Sequence, residues 1–349
     1  MKRLITLLAG LLTASGLMVQ GQTFSVPLEN GNKLLFSVTD TTANTVEIIR
    51  TGAISGVSLA LPTGSLDIPS SVTFKGKTYR VASISAGAFS SAEELTSVSI
   101  PSSVKSIGEK AFAGCTKLEG VVFPASEPEF GSDVFDGCIS LRSVSLGSDW
   151  KTLDLNLFVS SNDLIDLYVP AKVRKISNLK YLQSLERIDV DPNNQFFSSI
   201  DGNLYSKDGK VFYACPNGRA GTLEIPEGAE KIQEGAFNGC AGLTEITFPS
   251  TLHAFSYLDF YQCVSLRKLT LLSEMPPMTA KWNGASVFAI RCPDSLFKVY
   301  VPGENLSRYQ SAVCAKAGEY ETPASGKKET CSEDALLTDK GILKTKTSR

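Results

Sequence analysis

The chain has 349 residues, 42% of them apolar and 20% charged, with 34 Lys and Arg against 36 Asp and Glu. That content supports a sizeable core, and a net charge of −2 lacks the basic stripe of a nucleic-acid binder. The single histidine, His253, excludes zinc sites built on two or three His and the two-His-one-carboxylate iron site, and the eight cysteines form no CxxC pairs, which excludes zinc-ribbon spacing.

Residues 1–21 read as a secretory signal peptide. Lys2 and Arg3 form the positive start, Leu4 to Met18 the apolar stretch, and Val19-Gln20-Gly21 the small-residue cleavage site. No cysteine lies near it, so a lipoprotein anchor is not indicated; an uncleaved membrane anchor is the alternative, though the stretch falls short of the roughly 20 apolar residues of a span. Cleavage removes two bases and no acid, giving a mature net charge of −4. No later segment has the length of a span. The sequence therefore predicts a secreted or cell-surface protein.

Residues 22–65 read as an N-terminal β cap, with Leu35-x-Ser37 and Val46-x-Ile48 alternating across turn residues. From residue 66 to 320 the chain reads as a repeat solenoid. Phe89, Phe112, Phe135 and Phe158 are 23 residues apart, as are Leu95, Leu118, Leu141 and Leu164, and Val98, Val121, Val144 and Leu167. Cys115 and Cys138 keep the same step, and so, further on, do Phe237 and Phe260, Cys240 and Cys263, and Leu243 and Leu266. One unit reads Leu95-x-x-Val98-x-Ile100-Pro101-x-x-Val104-x-x-Ile107-Gly108-x-x-Ala111-Phe112-x-x-Cys115. Val98-x-Ile100 alternates as a short strand, Pro101 ends it by removing a donor, and Val104 to Phe112 suit a return arm of turns. One unit cannot bury its own apolar side, so stacking is obligatory.

Three segments depart from the step. Ser71 to Val81 carries a tight hairpin in the segment Phe74-Lys75-Gly76-Lys77-Thr78-Tyr79. Residues 192–216 read as a hairpin insert, with strands at Ile200–Tyr205 and Val211–Tyr213 flanking the Asp208-Gly209 turn, and Cys215 falls outside the repeat. Residues 272–320 read as a C-terminal cap, with a strand at Phe297–Val301 and a terminal helix bearing Leu306, Tyr309 and Val313. Residues 321–349 have too little apolar content to offset ordering entropy and read as a disordered tail.

The 23-residue unit resembles the BspA-like leucine-rich repeat, a class found on exported proteins of Bacteroides-type bacteria, treponemes and some protists. The segment Phe197 to Gly209 resembles a hairpin insert of that class, and Val299-Tyr300-Val301-Pro302 with Tyr309 resembles its C-terminal cap. The resemblance covers about residues 66–314. It implies an α/β-type solenoid dominated by short parallel β-strands: a right-handed leucine-rich repeat with a β-hairpin N-cap, a mid-stack hairpin insert and a C-terminal cap. It also implies adhesion to host or neighbouring-cell proteins.

The cysteines at the repeat step read as buried small apolar residues whose S–H reaches a backbone carbonyl. A Cys292–Cys314 bridge is one pairing the cap permits. His253 with Cys263 is a poor nucleophile and base, because Cys263 occupies a structural position. Asp201-x-Asn203-x-Tyr205-x-x-Asp208 lacks the Gly and Glu of a calcium loop and suits a turn. No residue is assigned a catalytic or metal-ligating role, and no cofactor is called for.

Binding is expected on the outer side of the sheet, at the x positions of Leu-x-x-Val-x-Ile. The candidates there are Arg142, Ile165, Tyr168, Arg187, Glu245, Arg267 and Lys268, since exposed Tyr and Arg are enriched at binding hot spots. The expected partner is a host matrix or bacterial surface protein, with no nucleic acid. The alternative is a carbohydrate-binding accessory protein of a polysaccharide-utilisation system, which asks for exposed aromatic platforms.

Overall fold

A computed structural model describes residues 21–50, 59–161, 163–179, 183–254, 260 and 262–274, together with strand segments between 279 and 342. The signal peptide, the terminal helix at 306–313 and Cys292, Cys314 and Cys331 lie outside the described residues. The chain divides into two compact units, residues 1–178 and 179–349. Each is a β-solenoid stack, and the helical turn among the described residues is a 3₁₀ turn at Leu155–Phe158.

In the first unit β1 (Thr23–Pro27), β2 (Lys33–Asp40) and β3 (Thr45–Ile49) form an antiparallel meander. β4 (Gly64–Asp67) follows, then β5 (Ser71–Phe74) and β6 (Lys77–Ile84), paired as the expected hairpin across Lys75 and Gly76, both at positive φ. The coils then contribute β7 (Leu95–Ser99), β8 (Ser106–Ile107), β9 (Gly120–Val122), β10 (Glu129–Phe130), β11 (Ser143–Ser145), β12 (Thr152–Asp154), β13 (Asp166–Val169) and β14 (Lys175–Ser177). β4, β7, β9 and β11 make one parallel sheet. β3, β6, β8 and β10 make a second, also parallel. The return arm is thus more than turns: Ser106–Ile107 and Glu129–Phe130 pair as strands, too short to show a period in the sequence.

Stacking follows from the 23-residue step. Leu95, Val98 and Ile100 are buried, while Thr96, Ser97 and Ser99 face outward. Phe89, Phe112, Phe135 and Phe158 stack in a column with ring centroids 5.0, 5.3 and 6.1 Å apart. Each such ring withdraws apolar area worth about 1.5–3 kcal/mol from water. The cysteines form a parallel column: Cys115 Sγ donates to Phe89 O at 3.3 Å and Cys138 Sγ to Phe112 O at 3.2 Å. These are free thiols, and Cys138 is pushed far above its ordinary pKa by the adjoining Cys115 thiol and by burial. The arms approach so closely that a Cβ at Gly108 would lie 2.4 Å from Ala86 N, and one at Gly131 2.3 Å from Glu109 N.

Where the third coil replaces Val and Ile by Glu127-Pro128-Glu129-Phe130, Phe130 takes the place of Ile107 in the ladder. The indole of Trp150 fills the remaining space against Phe123 and Phe130, its Nε1 donating to Pro124 O at 3.3 Å. In the fourth coil Ser161 occupies the cysteine position, buried, and its Oγ makes no hydrogen bond among the described residues.

The outward edge of β4 is closed by side chains. Asn32 donates from Nδ2 to Thr63 O at 2.9 Å and accepts from Thr63 N at 3.0 Å, and Asn30 Nδ2 donates to Ser65 O at 2.5 Å. The turn between β1 and β2 thereby covers the strand edge as another strand would.

The second unit begins with β15 (Arg187–Val190). β16 (Phe197–Ile200), β17 (Asn203–Ser206) and β18 (Val211–Ala214) are antiparallel, and β18 then pairs in parallel with β20 (Lys231–Ile232). β19 (Ala220–Glu224), β21 (Gly242–Phe248), β22 (Lys268–Leu271) and, beyond the hairpin of β23 (Thr279–Trp282) and β24 (Ala285–Val287), β25 (Lys298–Val301) form a parallel sheet. Within 321–349 the backbone segment Leu336–Thr338 lies parallel to β25.

Two sequence expectations change here. Ile200–Tyr205 is not one strand: Asp201 and Gly202, at φ 50° and 74°, turn the chain between β16 and β17. The last strand of the expected insert belongs to the stack. Phe212 stacks on Phe237 at 5.0 Å, which stacks on Phe260 at 5.5 Å, and Cys240 Sγ lies 3.6 Å from Cys215 O. Phe212 and Cys215 are therefore repeat residues, displaced by a 25-residue step to Phe237 and Cys240.

Candidate binding faces

The backbone register sets the outer face of the first unit. Asp67, Ser99, Val122 and Ser145 are successive partners across β4, β7, β9 and β11, and Tyr168 follows at the next 23-residue step. Beside them Ser65, Ser97, Gly120 and Ser143 form a second row. Against this small polar ground Val122, Ile165 and Tyr168 stand out, 50%, 47% and 50% exposed. Arg142 is exposed, and its Nη2 is held by Glu119 Oε2 at 2.5 Å. Three of the expected residues, Arg142, Ile165 and Tyr168, thus lie on one unit's face. The sequence pattern placed Val122 on that face without singling it out.

The other four belong to the second unit. Arg187 on β15 pairs with Asp189 at 2.7 Å. Arg267 turns back on its own backbone, Nη1 donating to Val264 O and Leu266 O at 2.9 and 3.1 Å, which gives it a structural job. Lys268 Nζ is 3.0 Å from Glu245 Oε2 and 5.2 Å from the ring centroid of Tyr300. Tyr300 pairs in register with Thr270 across β22 and β25. The sequence pattern could not align it, because the step from Thr270 to Tyr300 is 30 residues.

Ion pairs recur at the coil step. Glu94–Lys117, Glu119–Arg142, Asp149–Lys172 and Glu245–Lys268 each span 23 residues, the acid always on the earlier coil. A shallow pocket of about 510 Å³ is lined by Ser126, Glu127, Asp149, Lys151 and Lys172. Its acids are engaged internally: Asp149 by Lys172 at 2.5 Å, Glu127 by the N–H groups of Lys151 and Thr152 at 3.3 and 3.2 Å.

The chemistry of nucleophilic catalysis is not assembled among the described residues. His253 is exposed with Nδ1 3.3 Å from Thr251 O, whereas Cys263 is buried with its S–H on Phe237 O at 3.0 Å. Among the described residues no three His, Cys, Asp or Glu side chains gather as a metal site, and no helix is long and apolar enough to cross a membrane.

Residues 82–208 and 208–289 match the model of the BspA type leucine-rich repeat region, in six copies. The chain belongs to the BspA-type leucine-rich-repeat family. Its fold is similar to that of the pneumococcal vaccine antigen PcpA, at 17% identity and a TM-score of 0.50 over 83% of this chain and 96% of that one. A leucine-rich cell surface protein of Faecalibacterium prausnitzii aligns at 19% identity and a TM-score of 0.40 over 80% of this chain and 88% of that one. A leucine-rich repeat protein of Bacteroides ovatus aligns at 19% and 0.43 over 77% and 83%. No curated protein sequence matches significantly. Family membership accounts for the cysteine and phenylalanine columns of this BspA-type chain, and leaves its ligand to be argued from the faces.

Proposed function

We propose that this BspA-type chain is an exported, non-catalytic binding protein, and that the outer sheet face of its first unit holds a protein ligand in an adhesive role. The observation that carries the reading is the exposure of Val122, Ile165 and Tyr168 on the outward side of coils 23 residues apart, among Ser, Gly and a few charged neighbours. Exposed apolar side chains grouped on a rigid support mark protein-interaction sites, and a pre-formed sheet lowers the ordering cost of association. Tyr168 is the anchor, and the Glu119–Arg142 pair is a polar border. The signal-like residues 1–21 support export to the place where such a ligand is met.

The test is binding of the mature chain to immobilised host matrix proteins and to intact bacterial cells. A Val122→Ser, Ile165→Ser, Tyr168→Ala triple variant is run beside it. Saturable binding to at least one surface, weakened tenfold or more in a variant whose melting temperature is unchanged, supports the reading. Binding to none, or equal binding by the variant, removes it.

A further inference from the structure

The outer face of the second unit differs in chemistry from that of the first. On β19, β21 and β22 the outward residues Thr222, Glu224, Glu245, Thr247, Lys268 and Thr270 are all polar and all half-buried or exposed. They form two rows in register, Thr222–Glu245–Lys268 and Glu224–Thr247–Thr270, and the second row runs on to Tyr300 of β25. The one aromatic ring on these rows is thus set beside a line of hydroxyls and a carboxylate, with strands about 4.8 Å apart.

The ring is also held. Lys268 Nζ is pinned by Glu245 at 3.0 Å and lies over the Tyr300 ring at 5.2 Å, within cation–π range. Glu245, Lys268 and Tyr300 form a chain across three strands that fixes a half-exposed ring before any ligand arrives. A pre-set ring flanked by hydroxyl and carboxylate acceptors complements a sugar: the C–H face of a pyranose stacks on the ring, and its hydroxyls donate to Glu224 and exchange hydrogen bonds with Thr247 and Thr270.

The charges narrow the class. The Lys268 charge is already taken by Glu245, and Glu224 stands exposed beside the row, so a uronate or sulfated sugar would have to break one pair and face a like charge. We infer that the Thr247–Thr270–Tyr300 row, with Glu224 and the Glu245–Lys268 pair, is a binding site for a neutral polysaccharide, separate from the protein-binding face of the first unit.

The experiment is affinity electrophoresis of the full mature chain through gels carrying mannan, xylan, a mixed-linkage β-glucan or, as the acidic control, polygalacturonate. Retardation by at least one neutral polymer and none by polygalacturonate is expected. Tyr300→Ala should weaken it tenfold or more, Tyr300→Phe should keep it, and Lys268→Gln should weaken it several-fold by releasing the ring. Tyr168→Ala should leave it unchanged, so the two faces fail or hold independently. No retardation by any neutral polymer, retardation untouched by Tyr300→Ala, or loss in Tyr300→Phe equal to that in Tyr300→Ala overturns the inference. So does retardation by polygalacturonate alone. Thermal melts of each variant show that the fold is kept.

Discussion

Ser161 sits where the 23-residue step would place a cysteine, buried and with no hydrogen-bond partner for its hydroxyl among the described residues. At the matching positions Cys115, Cys138 and Cys263 each give their S–H to the carbonyl of a phenylalanine 26 residues earlier. The carbonyl in the corresponding place for residue 161 is that of Phe135. A buried hydroxyl without a partner costs about 1–3 kcal/mol, whereas a thiol is buried as a small apolar group with a weak donor. Ser161→Cys should therefore stabilise the chain by about 1 kcal/mol, read as a rise in melting temperature under reducing conditions. A fall would mean that the fourth coil, whose backbone departs into a 3₁₀ turn at Leu155–Phe158, no longer presents that carbonyl. The same scale explains the αL positions two residues before four of the stacked rings, Phe89, Phe112, Phe135 and Phe237. Gly87 and Gly235 adopt them freely, while Lys110 and Asp133 hold φ at 52° and 54° because the coil must turn there whatever residue it carries.

At the scale of elements, the N-terminal cap closes two sheets in two ways. β3 pairs its backbone with β6, whereas β4 meets only the side chains of Asn30 and Asn32 on its outward edge among the described residues. An unprotected edge is a template for pairing with another chain. An Asn30→Ala, Asn32→Ala variant should associate in a concentration-dependent way in sedimentation velocity runs while keeping its far-ultraviolet spectrum. Adding Ser65→Pro, which deletes an outward N–H, should restore the monomer. A double variant that stays monomeric at all concentrations would show that the amides serve only local stability. This lock was invisible in the sequence, because a contact between Asn32 and Thr63 leaves no periodic trace. The coil strands were legible because each repeats Leu95, Val98 and Ile100 at a fixed step. The two-residue strands of the second sheet were not, since Ser106–Ile107 is shorter than one alternation. Phe212 and Tyr300 escaped for a related reason: inserted residues moved them off the 23-residue step while the stack kept them in column. Of the candidate faces, the outward positions were readable, but which of them carry ligand chemistry depended on register across strands.

For the molecule as a whole, repetition supplies most of the core and also a hazard. Coils that share Leu, Val, Phe and Cys at the same places offer nearly the same apolar surface to every other coil. The rings and thiols reward stacking without distinguishing the right neighbour from one a step away. The exposed ion pairs at the coil step add little to stability, about 0–1 kcal/mol each. Yet each occurs once in its column. Arg142 finds Glu119 only when its coil follows the correct one; docked a step out of place it would face Thr96, and Glu119 would face Ile165. A pair that occurs once in its column is suited to tell one coil from its near-copies while the chain is assembling. Reversing Glu119→Arg alone should leave the melting temperature nearly unchanged and lower the yield of native protein on refolding by dilution. The double exchange Glu119→Arg, Arg142→Glu should recover that yield. Charges that look dispensable in the finished stack would then be the marks by which a repetitive chain avoids skipping a coil.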